Sequence, residues 1–326
     1  MKRLVLLIAS FSIVSCTAPA DVDPLPSWKA GSSRESIIEF VEVVTDRSNT
    51  NYVPVDERIA VFDNDGTLWS EQPLYFQFYY ALSRIQKAAT AHPEWSDQEP
   101  YKTALAGNRD DILALGTKGL VEIILATHSG MTNAEFRQSV QAWIAMAEHP
   151  TTHRAFSQMV FQPMLELLDY LRANGFKVYI VSGGGVEFMR AWAEGVYGVP
   201  PENTIGSDLG IQLEVTDSGL VLRRLAEINF VNDKAGKPVG IQRAIGRRPI
   251  FAFGNSDGDL QMLQWTVAGD GPSFAGIVHH TDADREWAYD RESQLGRLDK
   301  ALDEGTERGW TIVDIKSEWS RIYPPE

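Results

Sequence analysis

Apolar positions along this chain follow two rhythms, short unbroken runs and stripes spaced three or four residues apart, and the two alternate. Arg58 to Phe62 is almost wholly apolar and predicts a short buried strand that ends at Asp63. From about Pro73 to Ala155 the rhythm turns helical. Tyr75, Tyr79, Leu82 and Ile85 make one stripe, Leu120, Ile123 and Ile124 a second, and Phe136, Val140, Trp143 and Met146 a third. With few β-branched runs, this stretch predicts an all-helical insert. Leu165, Leu168 and Leu171 then share one face of a helix expected over Pro163 to Asn174 and stopped by Gly175. A strand over Lys177 to Val181 runs into Ser182-Gly183-Gly184-Gly185, and a helix is expected over Val186 to Tyr197.

Further on, Ile211 to Val215 and Leu220 to Arg223 predict a hairpin across Asp217-Ser218-Gly219. A helix over Pro238 to Ile245 leads into a strand over Pro249 to Phe253, and further strands lie near Gly276 to His279 and Trp310 to Ile315. At the start, Ser32-Ser33-Arg34-Glu35 reads as a capping box opening a helix through about Asp46. Outside the insert, strand and helix alternate, which predicts an α/β fold with a parallel sheet covered on both faces. Ligands of such sheets bind beyond the carboxyl ends of the strands. Three polar clusters fall there: Asp63 with Asp65, Ser182, and Asn255 to Asp259.

The 326 residues suffice for one large domain or two modest ones, and 44% apolar with 23% charged residues is the profile of a folded soluble protein. A net charge of -14 argues against nucleic acid, which needs a basic face, and against a polybasic grip on anionic lipid. It leaves a phosphorylated substrate open, because a bound metal reverses the sign of the field inside a site.

The N-terminus reads as a signal rather than as fold. Lys2 and Arg3 precede LVLLIASFSIV, which is too short to span a bilayer as a mature helix. Ile13-Val14-Ser15-Cys16 then resembles the lipobox of bacterial lipoproteins, and Cys16 is the one cysteine in the sequence. That resemblance implies a signal peptide over 1–15, acylation of Cys16, a tether over 16–31 and anchorage facing the periplasm. Thr17 after the cysteine favours the outer membrane. A chain without a second thiol must hold itself together by packing.

The polar clusters, in their order, resemble the signature of the haloacid dehalogenase-like (HAD) superfamily. The motifs are Asp63-Asn64-Asp65-Gly66-Thr67 after the first strand, Ser182 after the second, Lys237 opening a helix, and Gly254-Asn255-Ser256-Asp257-Gly258-Asp259 after the next strand. The likeness spans about Ile59 to Leu263. It implies a Rossmann-like parallel core over 32–72 and 156–326 with an all-helical cap over 73–155, as in phosphoserine-phosphatase-like members. Lys234 competes with Lys237, which is preferred because it opens the helix PVGIQRAI.

The residues suit the chemistry that the resemblance implies. The Asp63 carboxylate can attack phosphorus and form an aspartyl-phosphate, splitting one hard displacement into two. Mg²⁺, a hard ion that seeks oxygen, would neutralise the repulsion between that anion and the ester. Asp65 can protonate the leaving alcohol and then deprotonate water. Its main-chain carbonyl is implied as a metal ligand, and its presence separates phosphatases and mutases from dehalogenases and transport ATPases.

Gly66 permits the turn, and Thr67 can bond phosphate or buttress the loop. The Ser182 hydroxyl, with the N–H groups of Gly183 and Gly184, can hold a phosphoryl oxygen. The Gly-Gly-Gly run lacks the spacing of a dinucleotide fingerprint. Lys237 would bridge Asp63 and the phosphoryl group. Asn255 departs from the pattern, standing where the family has a metal-binding aspartate, so Asp257 is expected to supply the missing charge beside Asp259.

His279, His280 and Glu71 are weaker candidates for the site, and His128, Trp143 and Arg154 are ordinary core or surface residues at this level. The expectation is Mg²⁺-dependent hydrolysis of a small phosphomonoester. A phosphomutase or phosphotransferase with the same site, or a non-catalytic ligand-binding lipoprotein, are the rivals. The substrate and the oligomeric state are left open.

Overall fold

The computed structural model describes residues 23–217 and 219–325. The signal over 1–15, Cys16, the first part of the tether and Ser218 lie outside the described residues. Seven strands form one sheet: β1 (Ile59–Phe62), β2 (Lys177–Gly185), β3 (Thr204–Thr216), β4 (Gly219–Phe230), β5 (Phe251–Gly254), β6 (Phe274–His279) and β7 (Thr311–Asp314). Their spatial order is β4-β3-β2-β1-β5-β6-β7. Every pair is parallel except β3 with β4.

Before β1 comes α1 (Ser32–Thr45), and the insert carries α2 (Phe76–Ala88), α3 (Tyr101–Ala106), α4 (Arg109–Ala114), α5 (Gly116–His128) and α6 (Asn133–Ile144). Around the sheet follow α7 (Gln162–Ala173), α8 (Val186–Arg190), α9 (Ala193–Tyr197), α10 (Gly236–Ile245), α11 (Leu260–Val267), α12 (Lys300–Arg308) and α13 (Ile315–Glu318). No helix among the described residues is long and apolar enough to cross a membrane.

The unbroken apolar runs are explained by burial on both faces. Alternate side chains of a strand point to opposite sides. Ala60, Phe62, Ile180, Phe251 and Phe253 join the larger core, while Ile59, Val61, Val181 and Ala252 join the core on the other side. Phe62 is in register with Ile180 on one neighbour and with Phe253 on the other. This register brings Asp63, Ser182 and Asn255 to one edge, although β2 runs on past Ser182 to Gly185.

Several elements differ from the sequence expectation. The capping box does not form: Gly31 is the N-cap of α1, and the Glu35 N–H bonds the Gly31 carbonyl. Ser32 already lies inside the helix, so its hydroxyl is not at the capping position. Part of the expected tether is docked. Leu25 and Trp28 are buried, the Trp28 indole donates to the Pro163 carbonyl at 2.8 Å, and its ring meets Trp319 edge-on. The helix expected over Val186 to Tyr197 is broken into α8 and α9, and Trp192 at the break stacks on Trp69 with ring centroids 4.2 Å apart.

The hairpin is about twice as long as expected, and it reaches the insert. Gly130 N donates to the Arg224 carbonyl and Arg224 N to the Met131 carbonyl, each at 2.9 Å. The loop between α5 and α6 thus adds itself to the free edge of β4, which covers an edge that would otherwise invite foreign strands.

Candidate active site

Asp63 directly follows β1, and its N–H still donates to the Phe253 carbonyl of β5. Its carboxylate meets Lys237, from the first turn of α10. The Lys237 ammonium lies 2.5 Å from Asp63 Oδ1, 2.6 Å from Asp259 Oδ1 and 2.8 Å from the Val181 carbonyl, and is 2% exposed. Lys234, at a positive φ of 51°, does not reach Asp63. Asp259 is consumed by structure as well as by the lysine. Its Oδ2 accepts from the N–H groups of Asn255 and Ser256, both at 3.0 Å, and from the Ser256 hydroxyl.

Asp65 lies on the cavity side of the turn. The Trp69 indole donates to its Oδ1 at 2.8 Å, and the Ser182 hydroxyl to its Oδ2 at 3.4 Å. Ser182 Oγ in turn accepts from the Gly184 N–H at 3.0 Å. Gly183 and Gly184 line the cavity beside it. The Gly185 N–H is taken by Gln77 Oε1 at 2.8 Å, a residue of α2 to which no sequence signal points.

Behind the turn, only glycine fits at position 66. Its φ is +77°, and an added Cβ would stand 2.0 Å from Asn255 Nδ2 and 2.4 Å from Glu71 Oε1. His280 braces the same turn, with Nε2 donating to the Gly66 carbonyl at 2.7 Å and Nδ1 3.0 Å from Glu286 Oε2. His279 instead faces Asp290 at 3.4 Å.

Two residues of the expected set are turned elsewhere. Thr67 is fully buried, is not among the residues lining the cavity, and donates to Asn255 Oδ1 at 3.1 Å, so it buttresses the loop. Asp257, expected to replace the missing metal-binding charge, does not join the cluster. Its Oδ1 accepts the N–H groups of Asp299 and Ala301 at 3.0 and 2.9 Å, which satisfies the start of α12. The carboxylate next to Asn255 belongs to Glu71. Asn255 Nδ2 donates to Glu71 Oε1 at 2.7 Å, and the Tyr289 hydroxyl donates to the same oxygen at 2.8 Å.

Charge at this edge is unbalanced. Asp63 and Asp259 flank the Lys237 cation, and Asp63, Asp65 and Glu71 line one cavity with it. Burial, and then the Asp259 carboxylate, push the Asp63 pKa well up in spite of Lys237. Burial raises Asp65 and Glu71 as well, against the hydrogen bonds of Trp69 and Tyr289 respectively. For Lys237, burial alone would lower the pKa, but Asp259 and Asp63 outweigh it and hold it above the usual lysine value.

Among the described residues no three His, Cys, Asp or Glu side chains form a ready cage for a metal. The oxygen donors present nonetheless suit Mg²⁺, which is commonly held by one or two carboxylates and keeps several waters.

The cavity outside these residues measures about 400 Å³. It runs between α2 and α5 on one side and the β3–β4 hairpin on the other, with Phe78, Leu120, Ile124, Leu209 and Ile228 among its walls.

The model of the haloacid dehalogenase-like hydrolase family matches residues 60–264 of this chain, and the chain belongs to that family. No curated protein matches it in sequence. Among solved structures, it is similar to a conserved functionally unknown protein from Anaerococcus prevotii DSM 20548, with 15% identity and a TM-score of 0.50, covering 86% of this chain and 91% of that one. A protein with unknown function from Bordetella pertussis Tohama I is 15% identical, with a TM-score of 0.49 and coverage of 79% and 99%. A probable phosphoserine phosphatase from Vibrio cholerae is 16% identical, with a TM-score of 0.39 and coverage of 82% and 71%. At these identities the likeness concerns the fold alone.

Proposed function

We propose that this chain hydrolyses small phosphomonoesters in a Mg²⁺-dependent reaction through an aspartyl-phosphate on Asp63. The observation that carries the reading is Lys237, buried between Asp63 and Asp259 at the carboxyl edge of the central strands. A lone cation that deep would be expensive to bury without a task or partners, and here the partners include the carboxylate proposed to react.

Asp63 attacks phosphorus, and the bond to the leaving oxygen breaks. Asp65, whose burial favours the protonated form, gives its proton to that oxygen. Water then attacks the phosphoryl group on Asp63, losing its proton to Asp65, and phosphate and free Asp63 result. The Ser182 hydroxyl and the Gly183 N–H hold phosphoryl oxygens, the Gly184 N–H joins them by leaving Ser182 Oγ, and Lys237 offsets the growing charge.

The ion would be held by the Asp63 carboxylate, the Asp65 main-chain carbonyl and Asn255, and would supply charge neutralisation of the phosphoryl oxygens. Glu71 takes the amide hydrogen of Asn255 and so fixes its carbonyl end on the Thr67 side.

Residues 73–155 are read as a cap that shields the reacting group from water. The chain is further read as anchored in the bacterial envelope by an acylated Cys16, a reading that rests on the sequence IVSC at 13–16. Labelling with a radioactive fatty acid in wild type and Cys16→Ala tests the anchor. Phosphate release from p-nitrophenyl phosphate with Mg²⁺ or with chelator tests the activity. Turnover that ignores the chelator refutes the metal, and no release from any of a broad set of esters refutes hydrolysis.

A further inference from the structure

The cavity is far larger than a phosphoryl group, and its far wall holds a charge that the proposed chemistry does not use. Arg224, on β4, lines that wall and is 5% exposed. Its Nε donates to the His128 carbonyl at 2.6 Å and its Nη1 to Asn133 Oδ1 at 3.2 Å, and its guanidinium lies 4.3 Å from the centre of the Phe136 ring.

All three partners are neutral. The acids nearest in effect are Glu187 and Asp208, and both are engaged elsewhere. Glu187 pairs with Arg137 and Arg190, and Asp208 takes the Asn229 amide at 3.1 and 3.2 Å. A buried guanidinium without a carboxylate is costly unless an anion arrives to complete it. With Nε and one Nη1 hydrogen engaged, the remaining Nη1 and Nη2 N–H groups form one fork that matches a carboxylate. His128 beside it stays neutral, since burial and then Arg224 push its pKa down to about 3, so it adds no competing charge.

Asp208 and Asp233 also line the cavity, but apolar side chains prevail on its walls: Phe78, Leu120 and Ile124 from the insert, and Leu209, Ile228 and Val231 from the hairpin and its exit. A polar polyol would lose water there without compensation, whereas an aryl or alkyl body would gain from burial.

We propose that the substrate is the phosphate monoester of an apolar alcohol bearing a carboxylate, with the carboxylate seated on Arg224 and the apolar body between α5 and the β3–β4 hairpin. This rests on the phosphomonoesterase reading and adds the substrate class to it. The hairpin thereby becomes a specificity element, delivered to the cavity by its backbone bonds to Gly130 and Met131.

The experiment uses phenyl phosphate, glycerol phosphate and a series of 4-substituted phenyl phosphates whose carboxylate sits on a spacer of zero to three carbons. The expected result is a best acid ester with KM at least about 10-fold below that of phenyl phosphate, the size of one charge-assisted hydrogen-bonded pair, and glycerol phosphate the poorest. Arg224→Gln should raise KM for that acid ester at least about 10-fold more than for phenyl phosphate, and Arg224→Lys should recover part of the difference.

Hydrolysis of phenyl phosphate with no acid ester preferred overturns this inference and leaves the phosphatase reading standing. So does an Arg224→Gln effect equal on all esters. Calorimetry of the wild-type chain with matched aryl phosphonates, with and without the carboxylate, tests Arg224 independently of turnover and of how the variants fold. Tighter binding of the acid by at least about 10-fold supports the proposal, and equal affinity refutes it.

Discussion

Lys237 Nζ stands 2.5 Å from Asp63 Oδ1, across 174 positions of sequence, with both side chains nearly sealed from solvent. The contact joins the end of β1 to the first turn of α10 and aims the carboxylate as well as neutralising part of it. Lys237→Met should therefore lower kcat by about 100- to 1,000-fold, in the range seen when one pre-aimed transition-state donor is removed. It should also destabilise the fold by about 3–5 kcal/mol, because Asp63 and Asp259 are left buried without their cation. Steady-state kinetics and urea unfolding measure the two effects. A variant with both kcat and stability near wild type would separate Lys237 from the site.

Glu71 and Asn255 form a second such pair. If the carboxylate orients the amide, Glu71→Gln should weaken Mg²⁺ or Mn²⁺ binding by about 10- to 100-fold, the usual effect of removing a group that orients a ligand. Calorimetry or the paramagnetic signal of free Mn²⁺ reads this without turnover. An unchanged dissociation constant would assign Glu71 to substrate or to structure instead.

Gly66 has no room for a side chain. Gly66→Ala forces a Cβ into the Asn255 and Glu71 side chains at a left-handed φ, and the turn carrying Asp65 must shift. The expectation is a loss of at least about 2 kcal/mol of stability together with a large loss of kcat. Thermal unfolding and kinetics check it, and an unperturbed variant would show that the turn relaxes freely.

His128 gives a pH signature. Its pKa is about 3 in the fold, through burial and then Arg224, against an ordinary 6.5. Below 6.5 the unfolded chain takes a proton that the folded chain refuses, so this residue makes stability fall as pH drops from about 6.5 towards 3. Above 6.5 it contributes no slope. The imidazole resonances of His128 should not titrate between pH 5 and 8, and His128→Gln should flatten the acid-side loss of stability. Titration near pH 6.5 would contradict the buried environment.

The sequence revealed the parts of the site that are local. A strand that runs apolar into Asp63-Asn64-Asp65-Gly66-Thr67 announces both its burial and its turn. Lys237 was separable from Lys234 because only the former falls in the first turn of a helix. Contacts made at long range left no such mark. The partner of Asn255 is Glu71, 184 positions away, whereas Asp257, beside it in sequence, is drawn off by N–H groups at 299 and 301. Arg224 falls one residue past the strand expected over Leu220 to Arg223, and its place at the cavity depends on how β4 meets the α5–α6 loop. The capping box failed for a smaller reason, a helix that begins one residue earlier than the hydroxyl needs.

The most direct measurement quenches the wild-type enzyme in acid during turnover of an aryl phosphate with Mg²⁺ and locates the phosphoryl group by mass spectrometry, beside the turnover of Asp63→Asn. The account predicts a phosphorylated peptide with the group on Asp63, and a variant slowed by at least about 1,000-fold that captures none. A phosphoryl group on another residue, or an Asp63→Asn enzyme as fast as wild type, would contradict it.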